Sequence, residues 1–315
     1  MTELNPIISV CMITYNHEAF ISEAIEGVLM QKTSFPFELI ISDDCSTDKT
    51  REICLKYKSK YPDIIRLLLP ESNLGMTKNF IETIKSATGE YIAICEGDDY
   101  WTDQLKLQKQ IDFMEVNTEY SVCFHRYKIF DNESGEIRND GCGYLFENNT
   151  LQGISIDTVD FLKSWITQPL TMFFRKSSFD IEVTNKYTHF RDIHLIYHIL
   201  QSGKGYLFAF EAGIYREHNG GIHSKQSLQN QCKTGLDVAR EIYIVNGTSP
   251  LKENYLKTLQ WVISTYSTNR YETTQLIIYI FVHLYYSKNF KRFLKNIRLL
   301  TRNYITRRVY EISTN

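Results

Sequence analysis

Glu96-Gly97-Asp98-Asp99 crowds three carboxylates onto one short stretch of chain. Neighbouring carboxylates repel unless something positive sits beside them. A divalent cation with oxygen ligands supplies that charge and can neutralise a diphosphate at the same time. Gly97 lets the backbone turn sharply and approach a ligand closely. Taken alone, the four residues also fit an acidic loop capping the helix that follows, because Asp near a helix start is favourable in itself. Asp43-Asp44 carries the same ambiguity. The pair is either a cap region for a helix starting near Asp48 or includes a carboxylate that accepts a hydrogen bond from a base N–H. A third polar cluster, Thr14-Tyr15-Asn16, ends the first apolar run.

The elements around these clusters decide between the readings. Residues 7–13 form a short β-rich apolar run, and residues 17–30 place Phe20, Ile21, Ala24, Ile25, Val28 and Leu29 on one helical face. Residues 37–42 read as a second strand ending in Asp43-Asp44. A helix follows to about Tyr61, where Pro62 breaks it. Residues 64–69 read as a third strand, 78–87 as a helix stopped by Gly89, and 91–95 as a fourth strand, with the acidic turn and another helix after it. Such alternation implies a mostly parallel sheet with helices on both faces. Ligands bind such sheets outside the carboxyl ends of the strands. Thr14-Tyr15-Asn16, Asp43-Asp44 and residues 96–99 all fall at those ends, which makes a site on that edge the favoured reading.

From about Asn117 the pattern changes. Strands are expected at residues 122–130, 170–174 and 206–210, a polar turn-rich stretch at 131–149, a helix at 192–201, and helices beyond about Lys225. The division expected is a catalytic domain over residues 1–225, with a nucleotide-binding half to about 117 and an acceptor half from about 118 to 225, and a helical region over 226–315.

The 315 residues carry a formal net charge of −2, which argues against a nucleic-acid binder. Seven cysteines are irregularly spaced with no C-x-x-C pair, as in a reduced, cytoplasmic protein. The sequons at Asn132, Asn148 and Asn246 then read as coincidental, because no secretory signal precedes them. The most apolar segment, residues 276–286, is too short to span a bilayer, which needs roughly 20 apolar residues. The tail carries Lys288, Lys291, Arg292, Lys295, Arg298, Arg302, Arg307 and Arg308 without an acid among them, interleaved with Phe290, Phe293, Leu294, Ile297, Leu300 and Tyr304. It reads either as a peripheral membrane element on the inner face of the plasma membrane or as a solvated basic helix face.

Ser9-Val10 through Thr14-Tyr15-Asn16, then residues 43–48, Asn73-Leu74-Gly75, Gly89-Glu90-Tyr91-Ile92 and residues 96–101 together resemble the family 2 glycosyltransferases. The motifs run in order over roughly residues 7–101, with weaker matches out to about Ser224. The resemblance implies the GT-A fold, a nucleotide-sugar donor, a divalent metal (Mn2+ or Mg2+) and a glycan or lipid-linked acceptor. It implies that Thr14, Tyr15 and Asn16 line the nucleotide pocket with Asp43 and Asp44, Asp44 contacting uracil. It places Asp98 near ribose and diphosphate and makes Asp99 the principal metal ligand. Lys78 falls where relatives carry a basic residue near the phosphates. Arg191-Asp192 resembles the acidic base position, with a helix N-cap as the alternative role for Asp192. Residues 215–221, with Ser224 beyond, resemble a downstream motif in which His218 approaches the metal, Arg216 the phosphates, and the glycines permit a mobile flap. Two departures stand out: Cys45 replaces the usual Gly and should resist positive φ, and Glu96 replaces the commoner Asp.

The function expected is an inverting transfer from a nucleotide-diphospho-sugar, a UDP-sugar, in surface polysaccharide synthesis. A nucleotidylyltransferase would want a Gly-rich basic phosphate loop, and residues 8–16 hold no Gly, Lys or Arg. A non-catalytic nucleotide-sugar-binding module would lack Asp192.

Overall fold

The computed structural model describes residues 6–146, 152–163, 166–188, 190–221, 227–269 and 273–298. Asn148, Ser224 and the basic tail from Leu300 onward lie outside them. The chain forms two compact units, Met1–His218 and Asn219–Asn315.

The first unit opens with β1 (Ile8–Thr14), α1 (Ile21–Leu29), β2 (Phe37–Asp43), α2 (Thr50–Lys60), β3 (Ile65–Leu68), α3 (Met76–Ser86) and β4 (Tyr91–Ile94). β1 is buried along almost its whole length, as expected of a strand covered on both faces. Ile21, Ala24, Ile25 and Val28 form the buried stripe of α1. That helix starts later than the apolar spacing suggests. The His17 carbonyl accepts the Phe20 and Ile21 amides at 2.9 Å each, so a turn precedes the helix.

The chain continues through β5 (Tyr100–Trp101), α4 (Lys106–Val116), β6 (Tyr120–Asp131), β7 (Ile137–Asn139), β8 (Gly153–Ile156), α5 (Thr158–Lys163), β9 (Phe173–Arg175), α6 (Asp192–Ile199) and β10 (Lys204–Glu217). The sheet order is β3-β2-β1-β4-β9-β6-β10-β5, with β7 on β6 and β8 on β10. β1 to β4 are mutually parallel where they pair, as are β6 and β10. β9 is antiparallel to both neighbours, and β5, β7 and β8 also run antiparallel to the strands they pair with. The chain winds outward from β1 to β3 and returns to β4 on the other side of β1. The crevice between the carboxyl ends of β1 and β4 is therefore the topological switch point where such sheets bind ligands.

Two segments depart from expectation. A 3-10 turn, Pro169–Thr171, occupies the start of the segment expected to be a strand, which begins only at Phe173. β10 is one bulged strand of 14 residues, so Tyr215 and Arg216 belong to the sheet and not to a loop.

The core of this unit joins Ile8, Val10 and Met12 to Leu39, Ile41, Ala93, Trp101, Leu107 and Phe173. The second unit holds α7 (Leu228–Asn246), α8 (Ser249–Asn269) and α9 (Thr273–Ser287), with helix continuing over residues 290–298. Its own core gathers Leu236, Tyr255, Leu259, Val262, Tyr266 and Ile280. Among the described residues no helix is long and apolar enough to cross a membrane.

Candidate active site

The acidic turn is stapled into the switch point by main-chain bonds. Cys95 N donates to Cys11 O at 3.1 Å and Gly97 N to Ile13 O at 2.9 Å. Beyond the turn, β5 pairs with Gly213 and Ile214 of β10. Residues 96–99 are thus held between β1 and the far end of β10. Gly97 is required by this closeness: a Cβ there would stand 2.6 Å from Thr14 Oγ1 and 2.7 Å from Thr14 Cβ.

The three carboxylates of the turn take different directions. Asp98 Oδ2 lies 3.1 Å from His218 Nε2 and 3.7 Å from His17 Nε2. One ligand atom from each of these three residues falls within 4.8 Å of the others. Asp99 turns inward, where its Oδ1 accepts the Arg216 main-chain N–H at 2.9 Å and its buried Oδ2 has no hydrogen-bonding partner among the described residues. Asp98, and not Asp99, therefore joins the histidines. The Arg216 amide captures the Asp99 carboxylate and leaves Asp98 to the histidines. Burial, then the Asp98 and Glu96 charges, holds the Asp99 carboxyl well above the usual range. Glu96 is raised to about 8 by burial, then by Asp98 and Asp192. Asp98 resists the same burial because His218 donates to it and both histidines favour its charged form, so it titrates below the usual range. An imidazole pair and a carboxylate within mutual reach, ringed by crowded acids, suit a divalent cation.

His17 was not among the residues expected from the sequence. It follows Thr14-Tyr15-Asn16 directly, and a His in a polar cluster at a strand end was the available signal. Thr14 Oγ1 lies 3.2 Å from its Nδ1. Burial lowers the pKa of His17 against the opposing pull of Asp98.

The edge expected to take the nucleotide is built from interlocking loops. Asn16, at φ 55°, accepts the Thr47 amide at 2.8 Å through Oδ1, and its own N–H donates to Ser46 Oγ at 2.9 Å. Tyr15 is 44% exposed, which leaves its ring open to a planar ligand. Both Asp44 oxygens are engaged by main chain: Oδ1 accepts Leu74 N–H at 2.6 Å and Oδ2 accepts Gly75 N–H at 2.9 Å. Asp43 Oδ2 pairs with Arg51 Nε at 2.6 Å, while its buried Oδ1 has no partner among the described residues. Of the two, Asp43 keeps an acceptor to spare. Cys45 adopts φ 60°, so the loop retains the left-handed conformation that its larger side chain was expected to resist. The Asp44 anchorage beside it holds the turn in place.

Lys78 is exposed on α3. Arg216 is not a free cation: its Nε donates to Asp98 O at 2.9 Å, its other arm pairs with Glu23, and its guanidinium lies over Phe20, Tyr100 and Phe130. Asp192 is the first residue of α6, and Arg191 takes the cap position instead. The loop before it is tied to α3 by Thr77 Oγ1 donating to Phe190 O at 3.2 Å. Asp192 lies near enough for its charge to raise Glu96 further.

The Glycosyl transferase family 2 profile matches residues 9–181, more than half of the chain, and covers every element of this crevice up to β9. The chain is a family 2 glycosyltransferase. It is 38% identical over 115 residues to the putative teichuronic acid biosynthesis glycosyltransferase TuaG of Bacillus subtilis, which covers 36% of this chain and 44% of TuaG. This glycosyltransferase spans only 35–45% of the length of the first curated relatives it matches. Among solved structures it resembles TarS 1-349 of S. aureus in complex with UDP-GlcNAc, with a TM-score of 0.65, 18% identity, and coverage of 89% of this chain and 81% of that one. It also resembles the mannosyltransferase PcManGT of Pyrobaculum calidifontis in complex with GDP-Man and Mn2+, with a TM-score of 0.53, 13% identity, and coverage of 96% and 86%. The mixed sheet with its additional C-terminal helices is thus the GT-A fold.

Proposed function

We propose that this glycosyltransferase moves a sugar with inversion from a nucleotide-diphosphate donor, a UDP-sugar, to a glycan or lipid-linked acceptor in surface polysaccharide synthesis. The observation that carries the reading is the clustering of Asp98, His17 and His218 at the β1–β4 switch point, with the Asp192 charge felt at Glu96 of the same turn. The UDP-GlcNAc bound to TarS and the teichuronic acid role in the name of TuaG support the donor and acceptor classes.

Thr14, Tyr15, Asn16 and the Asp43-Asp44 pair form the nucleotide edge, with the exposed Tyr15 ring as the face open to the base. Asp98 and His218 would hold the divalent metal, and the Mn2+ of PcManGT supports that assignment. When bound, the metal supplies positive charge against the leaving diphosphate. Arg216 acts indirectly, holding Asp98 through its carbonyl. Asp192 takes the proton from the acceptor hydroxyl as that oxygen attacks the anomeric carbon, while the nucleotide departs from the opposite face. A single displacement needs no covalent enzyme intermediate.

Peripheral membrane contact belongs to the same reading. Phe281, Tyr285, Phe290 and Leu294 are exposed in the stretch that carries Lys288, Lys291, Arg292, Lys295 and Arg298. Apolar and basic residues together suit an anionic lipid surface.

The test is thermal stabilisation by UDP, GDP, CDP and a panel of UDP-sugars, with and without Mn2+. A site-specific ligand at about a hundred times its Kd adds about 3 kcal/mol. Stabilisation by UDP and UDP-sugars that grows with Mn2+ is expected; no response to any nucleotide refutes the reading. Asp192→Asn should keep nucleotide binding and lose transfer by about 10²–10⁴-fold.

A further inference from the structure

We propose that His17 is a direct third ligand of the divalent cation, making the centre a two-imidazole, one-carboxylate site that selects Mn2+ over Mg2+. The inference rests on the reading that Asp98 and His218 hold that cation.

The spacing is that of ligands around one ion. Cis ligands of a six-coordinate ion at about 2.1 Å stand about 3 Å apart. Asp98 Oδ2 lies 3.1 Å from His218 Nε2 and 3.7 Å from His17 Nε2. At the latter distance His17 is not hydrogen-bonded to the carboxylate. Its Nε2 instead stands across a gap from Asp98, on the same oxygen that His218 approaches. The two imidazole planes are 87° apart with centroids 5.9 Å distant, so the rings converge edge-on and do not stack.

The surroundings of His17 are those of a ligating histidine. Metal-bound imidazoles have their second nitrogen fixed by a neighbouring polar group, which sets tautomer and ring angle. Thr14 Oγ1 stands 3.2 Å from Nδ1, and with Nδ1–H donating to that hydroxyl the Nε2 lone pair faces Asp98. The main chain is pinned as well. His17 N–H donates to Thr50 Oγ1 at 2.8 Å, and its carbonyl accepts the Phe20 and Ile21 amides. Phe20 packs on both histidine rings, at 6.3 Å from His17 and 4.5 Å from His218. A hydrogen-bonding or capping role for His17 would need neither the Thr14 partner on Nδ1 nor the approach to Asp98 on Nε2.

The consequence is metal preference. Imidazole nitrogen favours the later first-row ions, whereas Mg2+ prefers an all-oxygen shell. With one histidine, the donor set remains oxygen-rich; with two, it disfavours Mg2+.

The experiment measures Mn2+ and Mg2+ binding to the full chain with UDP present, and counts histidine nitrogen couplings in the electron spin echo of bound Mn2+. The wild type should show two coupled imidazoles and His17→Ala one. His17→Ala should weaken Mn2+ by about 10–100-fold while changing Mg2+ far less, as loss of an imidazole donor implies. One coupled imidazole in the wild type, or unchanged Mn2+ affinity in His17→Ala, overturns the proposal. Should His17→Ala fail to fold, the wild-type coupling count decides alone. Asp98→Asn separates the two readings: if it binds Mn2+ as the wild type does, or if the wild type binds none, the parent reading fails and this inference falls with it.

Discussion

Thr14 and Gly97 are packed so closely that the side chain of one occupies the only space in which the other could carry a Cβ. The gap would be 2.6 Å to Thr14 Oγ1, with Ile21 Cδ1 at 3.0 Å behind it. Thr14 is short and buried and cannot swing clear. Gly97→Ala should therefore cost about 1–3 kcal/mol, the usual range for overpacking, read as a lower urea midpoint. Adding Thr14→Ala should not restore stability, because the Thr14 Cβ at 2.7 Å remains, and it should lower Mn2+ affinity, because the group that orients His17 is then gone. A double variant with normal Mn2+ binding would show that Thr14 only fills space.

Arg216 tests whether a site residue acts on phosphate or on the fold. Its side chain is 6% exposed and is engaged by Asp98 O, Glu23 and three aromatic rings. Arg216→Ala should lower stability without any nucleotide present, by about 2–4 kcal/mol given the lost packing and charged hydrogen bonds. Chemical denaturation of the nucleotide-free protein is the measurement. Unchanged stability with weakened UDP binding would return Arg216 to the phosphate-binding role that the sequence suggested.

The strand ends were legible because β1, β2 and β4 are apolar runs that stop at polar clusters, and Asp192 was legible as an acid opening a helix. The division of labour inside residues 96–99 was not. Which of two adjacent acids faces outward depends on the Arg216 amide, more than a hundred residues away. The burial of Arg216 was hidden for the same reason, since its ring partners Phe20, Tyr100 and Phe130 come from three distant segments. β9 was misplaced at its start because the apolar composition of Leu170 and Met172 does not distinguish a 3-10 turn from a strand.

Cys45 holds φ 60°, a conformation that costs a residue with a Cβ about 1–2 kcal/mol. Its thiol makes one weak contact, with Glu71 O at 3.7 Å. Cys45→Gly should relieve the strain and give back part of it as unfolded-chain entropy. The net expectation is a gain of about 0.5–1 kcal/mol, seen as a raised denaturation midpoint with unchanged cooperativity. A loss of stability would mean that the thiol contact outweighs the backbone term.

Lys106 gives the first unit a pH dependence that no site residue explains. Its side chain is wholly buried, its Nζ lies 3.6 Å from the Trp101 ring centroid, and it has no hydrogen-bonding partner among the described residues. Burial depresses its pKa to about 7, against the weaker opposing pull of Cys95 and Cys123. The unfolded chain keeps a lysine near its ordinary value of 10.5. Between about pH 7 and pH 10.5 the unfolded state therefore binds a proton that the folded state does not, and stability rises with pH across that window. Below about 7 the penalty is complete, on the order of 5 kcal/mol. Lys106→Met removes the charge and keeps most of the volume. It should be more stable than the wild type at pH 7, and its advantage should shrink steadily towards pH 10. Urea unfolding of both proteins at pH 7 and pH 9.5 checks this; a difference between them that is the same at both pH values would show that Lys106 is ionised in the folded protein throughout.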